Sequence, residues 1–322
     1  MNKLKPFKKL KGFIFISMNL NTLYSAFKSC SGISIDTRTM NIDEMFVAIK
    51  GPNFDGNKFV DQALGSGAKF VVSNDSKWKN DERVFIVEDT LITLQNLARY
   101  HRDQFDIPIL AITVSNGKTT SKELIRDVLL IKYRVHSTVG NLNNHFGIPL
   151  TLLRMPSDTE IAIIEMGANR QGDINEYCQY TDPNLGFITN IGKAHLEGFG
   201  GIEGVEKGKT ELFRYLDKRE GEVFYRFEDS ILSKHAKKLD KSISFGQTEN
   251  AEFPIYQTNS QPLVGASFNT NKGQFNLTSQ LSGDFNFHNL QAAIAIGLRF
   301  DVPEAQIVKA LEAYIPENNR SQ

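Results

Sequence analysis

Along residues 18–100, short apolar runs alternate with segments whose apolar side chains recur at helical spacing. The runs at 45–49, 69–72 and 84–87 predict strands, and 60–64 and 91–102 predict helices. Gly51-Pro52-Asn53 and Asp55-Gly56-Asn57 punctuate them, since these residue types tolerate the backbone angles of turns. A small α/β domain over residues 18–104 follows. A second pattern opens at Ile107-Pro108, with a buried strand at 109–113, a loop at 115–118 and a helix at 119–131 carrying Leu124, Val128 and Ile131. Strand, loop and helix in that order begin a doubly wound, mostly parallel sheet. Strands at 161–165 and 186–189 extend it, alternation with Gly and Asn turns over 252–280 predicts hairpins, and helices at 287–300 and 304–314 close the pattern. The second domain is therefore expected over 105–315, with the polar stretch 316–322 as a linker. No internal repeat or low-complexity tract is present.

At 322 residues the chain has room for about two domains with sizeable cores. Lys plus Arg and Asp plus Glu are 37 each, so no bulk charge pulls it toward nucleic acid or an acidic membrane. No apolar run reaches membrane-spanning length, and the cytoplasm is the expected location. Cys30 and Cys178 stand far apart in no metal-ligand spacing and suit a reducing compartment. Residues 1–17 are lysine-rich, with a short apolar run at 13–16 and no small-residue cleavage site. They read as a disordered upstream extension.

The sharpest chemical signal is Thr113-Val-Ser-Asn-Gly-Lys-Thr-Thr120. Gly-Lys-Thr at a strand-to-helix turn is the core of a phosphate-binding loop, in which backbone N–H groups and a helix N-terminus face an anion. Lys118 is placed to reach the β/γ-phosphates and Thr119 to hold Mg²⁺. The match is incomplete, because Ala111 and Val114 stand where further glycines would help the loop turn. A chance Gly-Lys-Thr at a helix start is the bland alternative.

Glu165 ends the apolar strand Ile-Ala-Ile-Ile-Glu165, where doubly wound sheets bind ligands, and it suits a metal; a solvated strand-terminal carboxylate is the plain alternative. His195 follows the next strand end and is read as a second ligand, although a lone His is more often structural. Lys209 falls four residues after Val205 and three before Leu212, on the apolar face of 202–216. It either snorkels from that face or aims at a site, where carbamylation by CO₂ would turn it into a metal-binding carboxylate. The stretch Gly140-Asn-Leu-Asn-Asn-His-Phe-Gly-Ile-Pro149, dense in asparagine at Asn141, Asn143 and Asn144, suits a polar ligand or a plain turn. Asn286 and Asn289 straddle a helix start, so either is a candidate N-cap.

Taken together, Ser34-Ile-Asp-Thr-Arg38, residues 50–57, 115–120, 140–153, 165–172, 189–200 with Lys209, and 283–293 resemble the Mur ligase family. The likeness runs through nearly all of 18–322. It implies a small UDP-sugar-binding domain followed by a P-loop ATPase sheet, and the branch that joins D-alanyl-D-alanine to a UDP-N-acetylmuramoyl-peptide. By that resemblance Ser34, Asp36 and Arg38, with Asn141, Asn143 and Asn144, meet the UDP-linked substrate. Ser115, Asn116, Gly117, Lys118, Thr119, Thr120, Asn286 and Arg320 meet ATP. Thr119, Glu165, His195 and carbamylated Lys209 hold magnesium, with Lys118, Lys209 and His195 as the catalytic set. A monomer is expected. The chain departs from the family at Val114, where glycine is usual, at Arg170, where this branch often has histidine, and in lacking the third domain expected to begin near Arg320. A sister ligase adding one amino acid, a folate polyglutamylating enzyme and a non-catalytic nucleotide or UDP-sugar binder remain as alternatives. The Asn-rich loop argues against the first two.

Overall fold

A computed structural model describes residues 19–51, 53–113, 118–192 and 195–316, with the backbone alone at Lys118. The expectations for residues 1–17, Val114, Ser115, Asn116, Gly117, the Lys118 side chain and Arg320 lie outside the described residues. The chain divides into two compact units. The first takes in residues to Asp106 together with Val139–Ser157 and Gln179–Asp182, and the second takes in the rest. The first unit runs to Asp106, and the Asn-rich loop and its helix, Val139–Ser157, pack with it rather than with the second.

The first unit holds β1 (Ile33–Ser34), β2 (Met45–Val47), β3 (Lys50–Gly51), β4 (Phe54–Asp55), β5 (Phe70–Ser73) and β6 (Val84–Ile86). Parallel pairing gives the order β1-β2-β5-β6, while β3 and β4 form a separate antiparallel pair at the Gly/Asn-rich turn. Asn57 fixes that turn: its amide donates to Asp55 and Asn74, and its oxygen accepts from Ser73 at the end of β5. Helix Thr90–Arg102 begins at Asp89, whose carboxylate accepts from the N–H groups of Leu91 and Ile92, a strong cap. Helix Gly147–Leu153 packs on it. From its last turns, Arg99 and Arg102 donate to the carbonyls of Gln179, Thr181 and Asp182. This is the physical reason that later segments belong to this unit.

The second unit continues with β7 (Ile109–Thr113), β8 (Val135–Ser137), β9 (Ile161–Met166), β10 (Leu185–Ile188), β11 (Glu222–Arg226), β12 (Ser242–Gly246), β13 (Phe253–Asn259), β14 (Gly265–Thr270) and β15 (Gly273–Thr278). Among the described residues these form one sheet in the order β15-β14-β13-β12-β11-β10-β7-β9-β8. Pairing is parallel from β8 through β13, and the last three strands are antiparallel, as the alternation over 252–280 predicts. Every residue of β7, β9 and β10 is buried, which explains their largely apolar runs, broken near the carboxyl end of β9 by the buried Glu165. Helices Lys118–Leu129 and Asp284–Arg299 pack against each other, burying Leu124, Val128, Leu290 and Ile294 in the core. The single helix expected over 202–216 is two, Ile202–Lys209 and Glu211–Asp217, broken at Thr210, whose hydroxyl bonds back to the Glu206 carbonyl. No helix of the described residues is long and apolar enough to cross a membrane.

Candidate functional site

The register of the central strands decides what meets at their carboxyl ends. Ile112 pairs with Glu165 and Thr113 with Met166, so the end of β7 lies against the end of β9. There the Thr113 hydroxyl donates to the Met166 carbonyl at 2.9 Å and accepts from Lys209 Nζ at 3.4 Å. Lys209 is 1% exposed, so the helical spacing that put it on the apolar face was informative. Its ammonium lies 5.6 Å from the centre of the Phe199 ring, within reach of a cation–π attraction.

Glu165 is equally buried. Its backbone N–H donates to Thr138 Oγ1 at 3.0 Å. Lys122 Nζ donates to the Thr138 carbonyl at 2.8 Å and stands 3.8 Å from Glu165 Oε2. Lys122 comes from helix Lys118–Leu129, the helix that leaves the Gly-Lys-Thr sequence. Two lysines thus reach the strand ends from different helices, Lys122 beside the Glu165 carboxylate and Lys209 at the Thr113 hydroxyl. The sequence reading passed over Lys122, although its signal was present: it precedes Ile125 by three positions and Leu129 by seven, both fully buried. One position earlier, Ser121 donates to Asn289 Oδ1 at 2.7 Å. Asn289 donates to Asn286, which donates to the Ser282 carbonyl. Asn286 and Asn289 are therefore buried helix residues tied to the start of the helix Lys118–Leu129, and the cap of their own helix is Gly283.

Thr119 and Thr120 are half-buried in the first turn of Lys118–Leu129, where unpaired backbone N–H groups favour an anion. His195 is exposed and takes a left-handed backbone, φ 55°, unusual for a residue with a side chain. The described residues contain no group of three or more His, Cys, Asp or Glu side chains spaced to share a metal. As encoded, Glu165 with two buried ammonium groups suits an anion such as a polyphosphate better than a bare divalent cation. A carboxylate on Lys209 would reverse that balance. Arg170, exposed, pairs with Asp173, whose carboxylate also accepts from the N–H groups of Asn169 and Arg170.

In the first unit, Ser34 is buried, its hydroxyl donating to the Asp36 carbonyl and accepting from the Asp36 N–H. Arg38 grips the Asp36 carboxylate through Nε and Nη2, which holds that carboxyl down at about 2. Asn144 accepts from the N–H groups of Phe146 and Gly147 and so starts the helix Gly147–Leu153, a structural role found within the Asn-rich loop. Asn141 is exposed and Asn143 half-buried. A cavity of about 650 Å³ opens beside β1, lined by Phe27, Cys30, Ser34, His101 and Arg154 among others. Burial pushes the Cys30 thiol up to about 11. At pH 8 only about a thousandth of it is thiolate, so alkylation by iodoacetamide is expected to be slow and to accelerate up to pH 10. Fast labelling of Cys30 at pH 7 would contradict this.

Comparison with known proteins bears on the same segments. The Mur ligase middle-domain profile matches residues 112–297, and the catalytic-domain profile of the Mur ligase family matches 29–110. The chain belongs to the Mur ligase family. Over 282 residues it is 35% identical to the UDP-N-acetylmuramoyl-tripeptide–D-alanyl-D-alanine ligase of Bacillus subtilis, covering 87% of this chain and 61% of that relative. Among solved structures it is similar to MurF from Acinetobacter baumannii, with TM-score 0.82, 28% identity, and coverage of 94% of this chain and 69% of that one. It is also similar to the MurF ligase of Thermotoga maritima in complex with ADP, with TM-score 0.77, 29% identity, and coverage of 90% and 67%. The chain thus spans about two thirds of the length of these family members. The α/β architecture, with a small first domain and a mostly parallel central sheet, is that of the family.

Proposed function

We propose that the chain carries the nucleotide- and UDP-sugar-binding parts of an ATP-dependent amide ligase that joins D-alanyl-D-alanine to UDP-N-acetylmuramoyl-tripeptide in peptidoglycan synthesis. The observation that carries this reading is the buried set of Glu165, Lys122 and Lys209 at the ends of β7 and β9, beside the helix that follows Gly-Lys-Thr. Its support in relatives is the ADP complex of the Thermotoga MurF ligase. In the reaction the peptide's terminal carboxylate takes the γ-phosphoryl group of ATP. The dipeptide amine then displaces phosphate from the resulting acyl phosphate. Both steps bring anions together, so fixed positive charge at the strand ends lowers the barrier. Magnesium, when bound, neutralises phosphate oxygens. Thr119, Glu165, His195 and a carbamylated Lys209 would hold it.

Within this reading Ser115, Asn116, Gly117, Lys118 and Thr120 meet the phosphates, and Asn286 and Arg320 meet the rest of the nucleotide. Ser34, Asp36, Arg38, Asn141, Asn143 and Asn144 meet the UDP-linked substrate. The protein works as a cytoplasmic monomer. The test is calorimetry with ADP and magnesium. Lys118→Ala is expected to weaken binding by about 2 kcal/mol, the scale of a lost charge-assisted hydrogen bond. Equal affinity in variant and parent would remove Lys118 from the site, and no binding by the folded parent would remove the reading.

The carbamate has its own check. Burial disfavours the charged form of Lys209, whose Nζ donates to the Thr113 hydroxyl and lies over the Phe199 ring face. In carbamylation the ammonium first gives up one proton, the free amine nitrogen then bonds the carbon of CO₂, and a second proton leaves that nitrogen, so the cation becomes an anion beside the strand ends. Isotope-labelled bicarbonate is expected to give a carbamate carbon resonance that Lys209→Ala lacks. A spectrum identical in both proteins would return Lys209 to a purely structural role.

A further inference from the structure

We infer that Lys122 is a positioning residue that keeps the Glu165 carboxylate neutralised, so that the site has little affinity for a free divalent cation and takes one only together with the nucleotide. This rests on Glu165 being the metal carboxylate of the proposed function. Lys122 is 3% exposed and Glu165 1%, so neither charge is answered by bulk water. Their 3.8 Å separation is too long for a hydrogen bond but strongly attractive at that burial. The geometry is fixed from both sides. Lys122 Nζ is held by the Thr138 carbonyl, and the Glu165 backbone is held by the Thr138 hydroxyl. One residue at the end of β8 therefore sets the distance between the pair.

The chemical consequence follows from charge. A lone buried carboxylate attracts a hard divalent cation, but one already facing a fixed ammonium offers little net field. A magnesium–nucleotide complex differs, because its phosphates bring negative charge that answers both the cation and the Lys122 ammonium. Lys122 thus makes the site selective for the complex over the free ion. It also keeps the Glu165 carboxylate aimed at the strand ends before any ligand arrives. Because Lys122 starts on the helix that carries Thr119, the same contact couples the carboxylate to the anion-facing helix end.

The test uses Mn²⁺ as a paramagnetic probe, counted by its solution electron-spin signal, on the 322-residue chain. Lys122→Gln keeps an amide donor for the Thr138 carbonyl and removes the charge; Lys122→Met removes both. The parent is expected to bind free Mn²⁺ negligibly at millimolar concentration, and both variants to bind it at least about tenfold more tightly. Lys122→Arg, which keeps the charge, is expected to behave like the parent. Mn²⁺ is also expected to raise the thermal midpoint of Lys122→Gln and not of the parent, which reads the effect without any activity. If a folded Lys122→Gln binds free Mn²⁺ as weakly as the parent, the inference is overturned. Binding of Mn²⁺–ADP by the parent is a separate measurement that decides the functional reading, so either idea can fail while the other stands.

Discussion

Glu165→Gln is expected to lower the unfolding free energy by about 3 kcal/mol, the scale seen when one partner of a buried ion pair is removed. The size follows from what is left behind. Lys122 would keep its bond to the Thr138 carbonyl but lose the carboxylate that answers its charge, and Lys209 would remain buried near the same strand ends. Glutamine is close to glutamate in shape, so the packing term is small and the loss is electrostatic. Urea denaturation in CO₂-depleted buffer, followed by circular dichroism, reads it directly. The companion is the double variant Glu165→Gln with Lys122→Met, which removes both charges. It is expected to be more stable than the Glu165→Gln single variant by about 1 kcal/mol or more, because the stranded ammonium is gone. If the double variant is no more stable than Glu165→Gln, the pair carries no coupling, and the burial of Glu165 needs another explanation.

The pattern of apolar positions disclosed the fold to the extent that each strand was buried on both faces. β7, β9 and β10 read cleanly because each is buried along its whole length and opens on an apolar run, with Thr113 and Glu165 coming only near the carboxyl ends of β7 and β9. β11 and β12 were not read at all. Each has five residues, mixed in polarity at its ends, and becomes a strand by pairing: β11 on the edge of β10, and β12 on that of β11. Short strands of that kind are decided by tertiary pairing more than by local preference. At the site, Lys209 was legible because a lysine at apolar helical spacing is conspicuous. Lys122 obeys the same rule but lies within the Gly-Lys-Thr helix, whose polar start drew the reading toward phosphate chemistry. Nothing in the residue types announced that Thr138 would link Lys122 to Glu165, since that requires the parallel pairing of β8 with β9. The Asn-rich loop was read for its ligand chemistry, yet at Asn144 its first duty is to start a helix. Asn286 and Asn289 show the opposite case, where a helix-cap reading gave way to a buried network reaching Ser121.

Gly204→Ala is the other substitution with a large expected effect, and its sign runs against helix propensity. Inside a helix, alanine in place of glycine ordinarily gains about 0.5–1 kcal/mol. Here the added Cβ would lie 1.8 Å from the carbonyl oxygen of Phe199, a backbone atom already accepting from the Gln171 amide. One turn later, a Cβ on Gly208 would lie 2.4 Å from the Phe199 ring. The two glycines therefore let the segment ending at Phe199 lie flush on helix Ile202–Lys209, and Phe199 in turn forms one wall around Lys209. Backbone cannot step aside as a flexible side chain can, so Gly204→Ala must push the whole segment outward. A net loss of about 2 kcal/mol or more is expected. Amide hydrogen exchange should quicken at Phe199 and Val205, whose N–H groups bond within this corner. Lys207→Ala, at an exposed position of the same helix, supplies the control and should leave stability within about 0.5 kcal/mol of the parent. If Gly204→Ala matches that control in both stability and exchange, the close approach of Phe199 is not what requires glycine at position 204, and the seat of Lys209 does not depend on it.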